Sequence, residues 1–223
     1  MKPTENKKQL IHYHELMTEE KPLTAEEPAI PYVAKRYSYA DYLTWTDGVM
    51  REIIDGVVYA FSAPVLKHAN AVSNFLRKSF AFIDKRKGKC KIYTAPFDVR
   101  FYKDGVIADD NSFNIVQPDI CVVCDPTILD DAGCIGAPDL IAEVLSPSTS
   151  KRDLVLKYSL YEEFGVKEYW IVHPNDRSVT VFLLQPNGKY NEGIIYDIAH
   201  GNTKVPVKTL EGLIIDLNDL FED

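Results

Sequence analysis

Two carboxylates of this sequence lie where their charges need compensation. Glu143 falls within LIAEVL, a nearly continuous apolar run typical of a strand buried on both faces. An ionised carboxylate there is costly, or its pKa rises, unless a cation compensates the charge. Asp119 follows Pro118 and opens a second apolar run, ICVV. Two acids on neighbouring strands of one sheet could share one Mg²⁺, which prefers carboxylate oxygens and keeps several waters.

Lys157 is the third residue whose position suggests chemistry. It belongs to KRDLVLKYSLYEEF, which has helical periodicity. At about 100° per residue, Lys157 falls inside the apolar arc of this helix, close to Asp153, whereas the other charged side chains fall outside it. We therefore expect Lys157 to point toward the sheet that carries Glu143. An inward lysine near two carboxylates could orient a water and stabilise charge that develops on a phosphate.

Each of these residues also has a purely structural interpretation. Asp153 and Lys157 are four residues apart, the spacing of an intrahelical ion pair. Lys157 could instead pair with Glu143 as a structural salt bridge. Asp119 could do no more than cap its strand. Taken without any resemblance, the residues favour these structural roles over a catalytic one.

The elements around these residues predict an α/β fold, with a central mixed sheet and helices packed on it. LIAEVL, the helix after it and EYWIV form a strand–helix–strand unit, with Gly165 ending the helix. Asp55-Gly56 predicts a hairpin, and a second hairpin joins SVTVFLL to YNEGIIYDI at a sheet edge. Residues 66–86 predict a long helix that ends at Gly88.

The remaining segments complete this prediction. Residues 1–35 are charged and interrupted by prolines, so we expect a tail or arm, with one domain over 36–223. Ser38 is a plausible N-cap of a short helix. KIYTAPFDVRFY predicts one strand, KDGVIADDNSFN a polar loop, and the stretch with Gly133 and Gly136 another loop. LEGLIIDLNDLFED predicts a last strand followed by a helical turn.

Composition limits the function classes. The formal net charge of −8 argues against nucleic-acid binding through overall charge, although it leaves room for a local basic groove. No apolar run is long enough to span a membrane, and the N-terminus lacks the apolar region of a secretory signal. We therefore expect a cytoplasmic protein with no membrane partner.

Four cysteines occur, at positions 90, 121, 124 and 134. Cys121 and Cys124 form a CxxC inside an apolar run, where residues three apart point to opposite faces of a strand. No second ligand pair accompanies them, so zinc is disfavoured. We expect all four to be buried thiols of a reducing compartment.

Several longer segments of the sequence resemble those of a known protein family. The segments VQPDICVV, PDLIAEVLSPST, the helix with Asp153, Lys157 and Tyr161, and GVKEYWIVHP closely resemble the Uma family of restriction-endonuclease-like proteins, part of the PD-(D/E)XK nuclease superfamily. REIIDGVV, residues 64–68 and LEGLIIDLNDLF extend the resemblance over roughly residues 37–222. It implies a restriction-endonuclease-like core with added β-hairpins.

The resemblance also implies a site. Pro118-Asp119 corresponds to the PD, and Glu143 to the acid of (D/E)XK. The sequence departs from the superfamily pattern at Leu145, where a lysine is expected, and Lys157 on the next helix takes that place. The implied chemistry is hydrolysis of a phosphodiester, with Mg²⁺ or Mn²⁺ held by Asp119 and Glu143.

Further residues match family positions. Glu52 could bring a third carboxylate to the metal, or could be a solvated hairpin residue. His68 could contact phosphate or a second metal, or could be a buried histidine with its own partner. His173 is interpreted as a strand-end residue. The basic run of residues 85–91 could touch a nucleic-acid backbone, but the solvated end of a helix is favoured.

Three functions remain open from the sequence. The first is a Mg²⁺-dependent DNA endonuclease, expected to act as a homodimer so that two sites meet two strands. The second is a nuclease-fold protein that binds nucleic acid or a partner without cutting. The third is a phosphodiesterase acting on small nucleotides.

Overall fold

A computed structural model describes residues 35–60, 64–146 and 152–222. Within these ranges the chain forms two six-stranded sheets and one two-stranded sheet. In chain order the strands are β1 (Arg51–Ile54), β2 (Val57–Ala60), β3 (Lys91–Tyr93), β4 (Asp98–Phe101), β5 (Asn114–Val116), β6 (Ile120–Val123), β7 (Leu129–Asp130), β8 (Gly133–Ile135), β9 (Leu140–Val144), β10 (Glu168–His173), β11 (Ser178–Leu183), β12 (Ile194–Asp197), β13 (Lys204–Val207) and β14 (Leu213–Asp216).

Helical segments pack on or between these sheets. They are α1 (Tyr39–Tyr42), α2 (Leu66–Arg86), α3 (Tyr158–Phe164) and α4 (Leu217–Leu220), with a π-helical turn over Arg152–Lys157 and 3₁₀ turns over Lys103–Gly105, Asp109–Asn111 and Pro126–Ile128. The mixed α/β class predicted from the sequence is confirmed. Residues 1–34 of the predicted tail (1–35), and the residues 147–151 that link β9 to the π-helical turn, lie outside the described residues.

The second sheet, in the order β12-β11-β10-β9-β6-β3, contains the strand–helix–strand unit. β9 runs parallel to β10 and antiparallel to β6, and all five residues of β9 are buried. Burial of both faces explains why LIAEVL is apolar almost throughout. β12 is an edge strand paired with β11, as the second predicted hairpin requires.

The first sheet, in the order β2-β1-β5-β4-β8-β7, differs more from the sequence prediction. Its β1–β2 hairpin turns at Asp55 and Gly56, which both have positive φ angles. The predicted single strand KIYTAPFDVRFY is wrong, because β3 and β4 belong to different sheets. The segment predicted as a loop around Gly133 contributes β7 and β8, and β5 begins at the last residue of the other predicted loop. These strands are two or three residues long, which is too short for a detectable periodicity.

The long helix α2 covers the outer face of the second sheet. Phe75 is fully buried and forms an edge-on ring contact with Trp170, whereas Phe80 is 45% exposed and its neighbour Ser79 is buried. The helix ends one residue earlier than predicted, since the left-handed residue is Lys87 and not Gly88. The Gly88 amide then donates to the Ile83 carbonyl, which closes the helix end.

An apolar core lies between the two sheets and α3, and we call it the intersheet core. Its buried residues come from both sheets and from the helix, among them Ile54, Phe101, Ile141, Tyr161 and Tyr169. Because strand residues alternate between faces, Glu52 lies on the face of Ile54, and Glu143 lies on the face of Ile141. Both carboxylates are thus directed into the intersheet core, where a charge needs a partner.

The cysteines correct part of the sequence prediction. Cys90 and Cys124 form a disulfide, so these two are not free thiols as expected. Their positions extend the β3–β6 pairing by one residue, which places them opposite each other. Cys121 and Cys134 are free and buried. Cys121 packs in the intersheet core and Cys124 packs against the core under α2, so the two members of the CxxC do face opposite ways.

Candidate active site

The pairing of β6 with β9 brings Asp119 and Glu143 together. Ile120 pairs with Ala142, so the same register extended by one residue places Asp119 opposite Glu143. Directly opposed residues of an antiparallel pair share a face, with their Cβ atoms about 5 Å apart. The Asp119 Oδ2 atom also accepts a 2.7 Å hydrogen bond from the Val144 amide, which fixes the aspartate against the residue that follows Glu143.

Lys157 joins the two sheets. Its ammonium nitrogen lies 2.8 Å from Oε1 of Glu143 in β9 and 2.8 Å from Oε1 of Glu52 in β1. The lysine is 1% exposed, and the two glutamates are 3% and 0% exposed. The inward orientation expected from the helix is therefore found, although the turn that carries Lys157 is π-helical and not α-helical.

Two further groups donate hydrogen bonds to this cluster. The Tyr161 hydroxyl, one turn after Lys157, donates to Glu143 Oε1 over 2.7 Å. The backbone amide of Gln117 donates to Glu52 Oε1 over 2.9 Å. Burial, together with the nearby Glu143 charge, raises the pKa of Tyr161 well above its usual range, so the hydroxyl stays protonated as a donor. Each glutamate is thus held by the lysine and by one neutral donor.

His68 borders the site on its more exposed side. Its Nε2 atom lies 3.1 Å from Asp119 Oδ2, and the two side chains are 14% and 20% exposed. His68 stands in the first turn of α2, so this helix directs the ring at the open end of β6. The Asp119–His68 pair is therefore nearer to solvent than the cluster around Lys157.

The oxygen donors fit a Mg²⁺ ion that keeps most of its water shell. Within the ranges that the structure covers, no group of three or more His, Cys, Asp or Glu side chains is arranged to enclose a metal. Mg²⁺ is commonly bound by one or two carboxylates, with waters and substrate phosphate oxygens completing the shell. Asp119 and Glu143 supply such a pair, and a carboxylate has about four acceptor positions in total.

The other residues singled out from the sequence fall in two places. Glu52 is fully buried in the cluster, so its interpretation as a solvated hairpin residue is wrong. His173 ends β10, with its Nδ1 atom 4.0 Å from Asp176 Oδ2, and burial lowers its pKa. The basic run of residues 85–91 is exposed and lies about 25 Å along α2 from His68. The side chain of Asp153 lies outside the described residues, so its pairing with Lys157 stays a prediction.

Tyr161 and Gln117 were not chosen as site residues from the sequence. A signal existed for Tyr161, since it follows Lys157 by four residues and so shares its helix face. Gln117 contributes mainly through its backbone amide, which no side-chain pattern reveals. Its side chain donates to Asp98 Oδ1 over 2.8 Å and to the Tyr42 hydroxyl over 3.1 Å. Burial raises the pKa of Asp98, so this carboxyl ionises less readily than usual.

No helix among the described residues combines the length and apolar character needed to cross a membrane.

Comparison with known proteins places this arrangement in a family. A crystal structure titled a "putative nuclease belonging to DUF820", from Anabaena variabilis, superposes with a TM-score of 0.63 at 21% identity, covering 82% of this chain and 97% of that one. At this identity the likeness shows the fold, and it confirms the restriction-endonuclease-like core. An uncharacterized protein of Synechocystis sp., slr1290, is 30% identical over 172 residues, which are 75% of this chain and 84% of that protein.

The family model that matches is described as "Putative restriction endonuclease" and named Uma2. The match covers residues 39–218, which include both sheets and every residue of the site described above. The resemblance inferred from the sequence motifs is confirmed, and this chain belongs to the Uma2 family.

Proposed function

We propose that this protein is a Mg²⁺-dependent endonuclease that hydrolyses phosphodiester bonds of DNA. The observation that carries the proposal is the position of Glu143, which lies opposite Asp119 on one side and 2.8 Å from Lys157 on the other. A buried acid held by a lysine, beside a second, more exposed acid, is suited to metal-assisted hydrolysis. Family membership supports the nuclease class but leaves the metal and the nucleic acid to experiment.

The site residues have different roles in this proposal, and the roles follow from how exposed each side chain is to solvent. Asp119 and Glu143 would hold the ion, which when bound supplies a polarised water for attack on phosphorus. Asp119 is 20% exposed and stands at the strand end, where a phosphate can approach it. His68, 3.1 Å from Asp119, fixes the orientation of that carboxylate and can donate to a phosphate oxygen.

Lys157 acts on the reaction through Glu143 in this proposal. Its ammonium is buried between two carboxylates, and this arrangement favours an ionised, fixed Glu143 more than contact with a substrate. Tyr161 adds a donor to the same oxygen and so limits rotation of the carboxylate. Direct contact of Lys157 with a water or phosphate, which the sequence suggested, would require the cluster to open.

Cleavage of supercoiled plasmid and of single-stranded oligonucleotides tests the proposal. We expect cutting with Mg²⁺ or Mn²⁺, none with EDTA, and a loss of about 100-fold or more in Glu143→Gln. Lys189→Ala is the control, because Lys189 forms an exposed pair with Glu162 at the same 2.8 Å distance. Full cleavage by Glu143→Gln would refute the site, and an inactive wild type on every nucleic acid would refute the function.

A specific observation keeps the non-cutting alternative in view. Glu143 Oε1 already accepts from Lys157 and Tyr161, and Leu145 stands where the superfamily has its lysine. A protein that binds nucleic acid or a partner without cutting would show metal-independent binding and no Glu143-dependent cleavage. We also propose a homodimer, since two sites would then face two strands, and sedimentation velocity would test it.

A further inference from the structure

A cleft of about 300 Å³ opens beside the candidate active site. It lies between the first two turns of α2, the turn that joins β10 to β11, and the end of the chain after α4. Lys67, Asn70, Asn175, Arg177 and Phe221 are among its lining residues. Its volume is at the lower end of the range for small-molecule sites, about 300–1,000 Å³, and is comparable to one nucleotide unit.

The cleft concentrates positive charge on a protein whose net charge is −8. Lys67 enters from α2 and Arg177 from the β10–β11 turn, and both are exposed. The Lys67 ammonium lies 3.5 Å from Asn175 Oδ1, so the two elements meet across the cleft. One carboxylate, Glu222, also borders it, but this side chain is turned toward Arg77 at 3.8 Å. Among the described lining residues, two cations with one acid favour an anionic occupant.

The rest of the lining is apolar and amide-rich. The half-buried Phe221 provides an aromatic face, the buried Pro174 adds apolar lining, and Asn70 and Asn218 add amide groups. Bases stack on aromatic rings whatever their sequence, and asparagine amides can bond their edges. Cations, amides and a ring within one nucleotide-sized cleft correspond to the phosphate, base edge and base face of a nucleotide.

The position of the cleft connects it to the reaction site. Lys67 directly precedes His68, whose ring contacts Asp119. Pro174 directly follows β10, and the Val172 carbonyl of that strand accepts from the Leu145 amide, two residues beyond Glu143. A strand whose phosphodiester lies at Asp119 would therefore reach the cleft with a neighbouring nucleotide.

We propose that this cleft binds a nucleotide of the substrate strand next to the cleaved bond, with its phosphate on Lys67 and Arg177 and its base against Phe221. The identity of the occupant rests on the function proposed above, whereas the binding itself can be measured without cleavage. The cleft thus offers a phosphate two positive contacts close to the reaction site, on a protein whose net charge is −8.

Binding of a fluorescein-labelled single-stranded oligonucleotide, followed by anisotropy in EDTA at several salt concentrations, tests this proposal. Lys67→Gln and Arg177→Gln are each expected to weaken binding about tenfold. The double variant should also flatten the salt dependence, by about 0.7 in log–log slope per lost contact. The matched control is Lys85→Gln with Lys89→Gln, which removes the same charge from the exposed basic run at the far end of α2.

Phe221→Leu provides a second measurement, because it keeps apolar volume and removes the ring. We expect binding to weaken at least fivefold, with an unchanged circular dichroism spectrum. If the cleft variants and the control variants bind with equal affinities and equal salt slopes, nucleotide binding in the cleft is refuted. Glu143-dependent cleavage would be unaffected by that result. The expected binding pattern without any cleavage would keep the cleft and overturn the nuclease. A wild-type protein that binds no oligonucleotide would overturn the cleft directly.

Discussion

Two Pro-Asp dipeptides occupy equivalent places at opposite ends of the β6–β9 pair. Asp119 Oδ2 accepts from the Val144 amide, and Asp139 Oδ2 accepts from the Cys124 amide, both over 2.7 Å. Their side chains are similarly covered, with 20% and 14% exposed. The two dipeptides have the same local role, because each aspartate forms a hydrogen bond that connects the start of its own strand to the end of the neighbouring strand.

The surroundings of the two aspartates differ. By the strand register, Asp119 lies opposite Glu143, whereas Asp139 lies opposite Val123. Asp119 is paired with His68 near the buried cluster of Lys157, and Asp139 with Lys167, a lysine whose side chain is 73% exposed. A Pro-Asp dipeptide therefore specifies a strand-end hydrogen bond, and only the residues across the sheet can turn it into a reaction site.

The largest expected difference concerns the two lysines. Lys157→Ala leaves two glutamates buried without their shared cation, so we expect a loss of about 3–5 kcal/mol in the free energy of unfolding. Lys167→Ala removes an exposed partner of Asp139 and should cost less than about 1 kcal/mol. Urea denaturation of both variants measures the two losses in the free energy of unfolding. Equal losses would show that the ion pairs of the Lys157 cluster contribute little.

A second prediction exchanges the two aspartates for asparagine. Asp119→Asn and Asp139→Asn each weaken one charge-assisted hydrogen bond to a backbone amide, so both should lose a similar amount, about 1–2 kcal/mol, of unfolding free energy. Cleavage should fall about 100-fold or more in Asp119→Asn alone. Plasmid cleavage measured beside denaturation tests both statements. Comparable losses of cleavage would mean that fold damage, and not the site, explains the Asp119 result.

A third prediction concerns the hydrogen bond that the Tyr161 hydroxyl donates to Glu143. Tyr161→Phe removes a hydrogen-bond donor to the Glu143 carboxylate, so we expect the free energy of unfolding to fall by about 1.5–3 kcal/mol. Tyr190→Phe, whose buried hydroxyl donates to the neutral Val166 carbonyl over 2.9 Å, should cost about 0.5–1.5 kcal/mol. Chemical denaturation at neutral pH compares them. A smaller effect at Tyr161 would contradict an ionised Glu143.

The smallest expected effect depends on pH and involves Asp98 in β4, whose carboxylate accepts a hydrogen bond from the Gln117 side chain. Burial raises its pKa in the folded protein, so the folded state binds the proton more tightly than the unfolded state. The stability that this group contributes is full below its unfolded pKa, about 3.9, and is lost as the pH rises through the raised value.

Asp98→Asn removes this titration, so the stability of the wild type relative to the variant should fall as the pH rises above about 4. Denaturation of both proteins at a series of pH values from about 4 upward measures the difference, with Asp139→Asn, just before β9 in the second sheet, as a control. A difference that grows in the opposite direction would show that ionised Asp98 is stabilised in the folded protein.

Much of the site was predictable because its parts lie in long, periodic segments. The apolar run around Glu143 predicted burial, and the helical period placed Lys157 on the inner face. Glu52 was harder to interpret, since a four-residue hairpin strand does not reveal which of its faces is covered. Gln117 was not found, because it contributes a backbone amide that no side-chain pattern reveals.

The sequence by itself determined the α/β class, the strand–helix–strand unit around Glu143 and the membership of a nuclease-like family, because these follow from periodicity and from a long motif. Only the tertiary structure decided that most of the described strands divide into two separate six-stranded sheets, that Cys90 pairs with Cys124, and that Glu52 shares Lys157 with Glu143. Those outcomes depend on strand register and on packing between sheets, which join residues far apart in the chain and leave no local pattern.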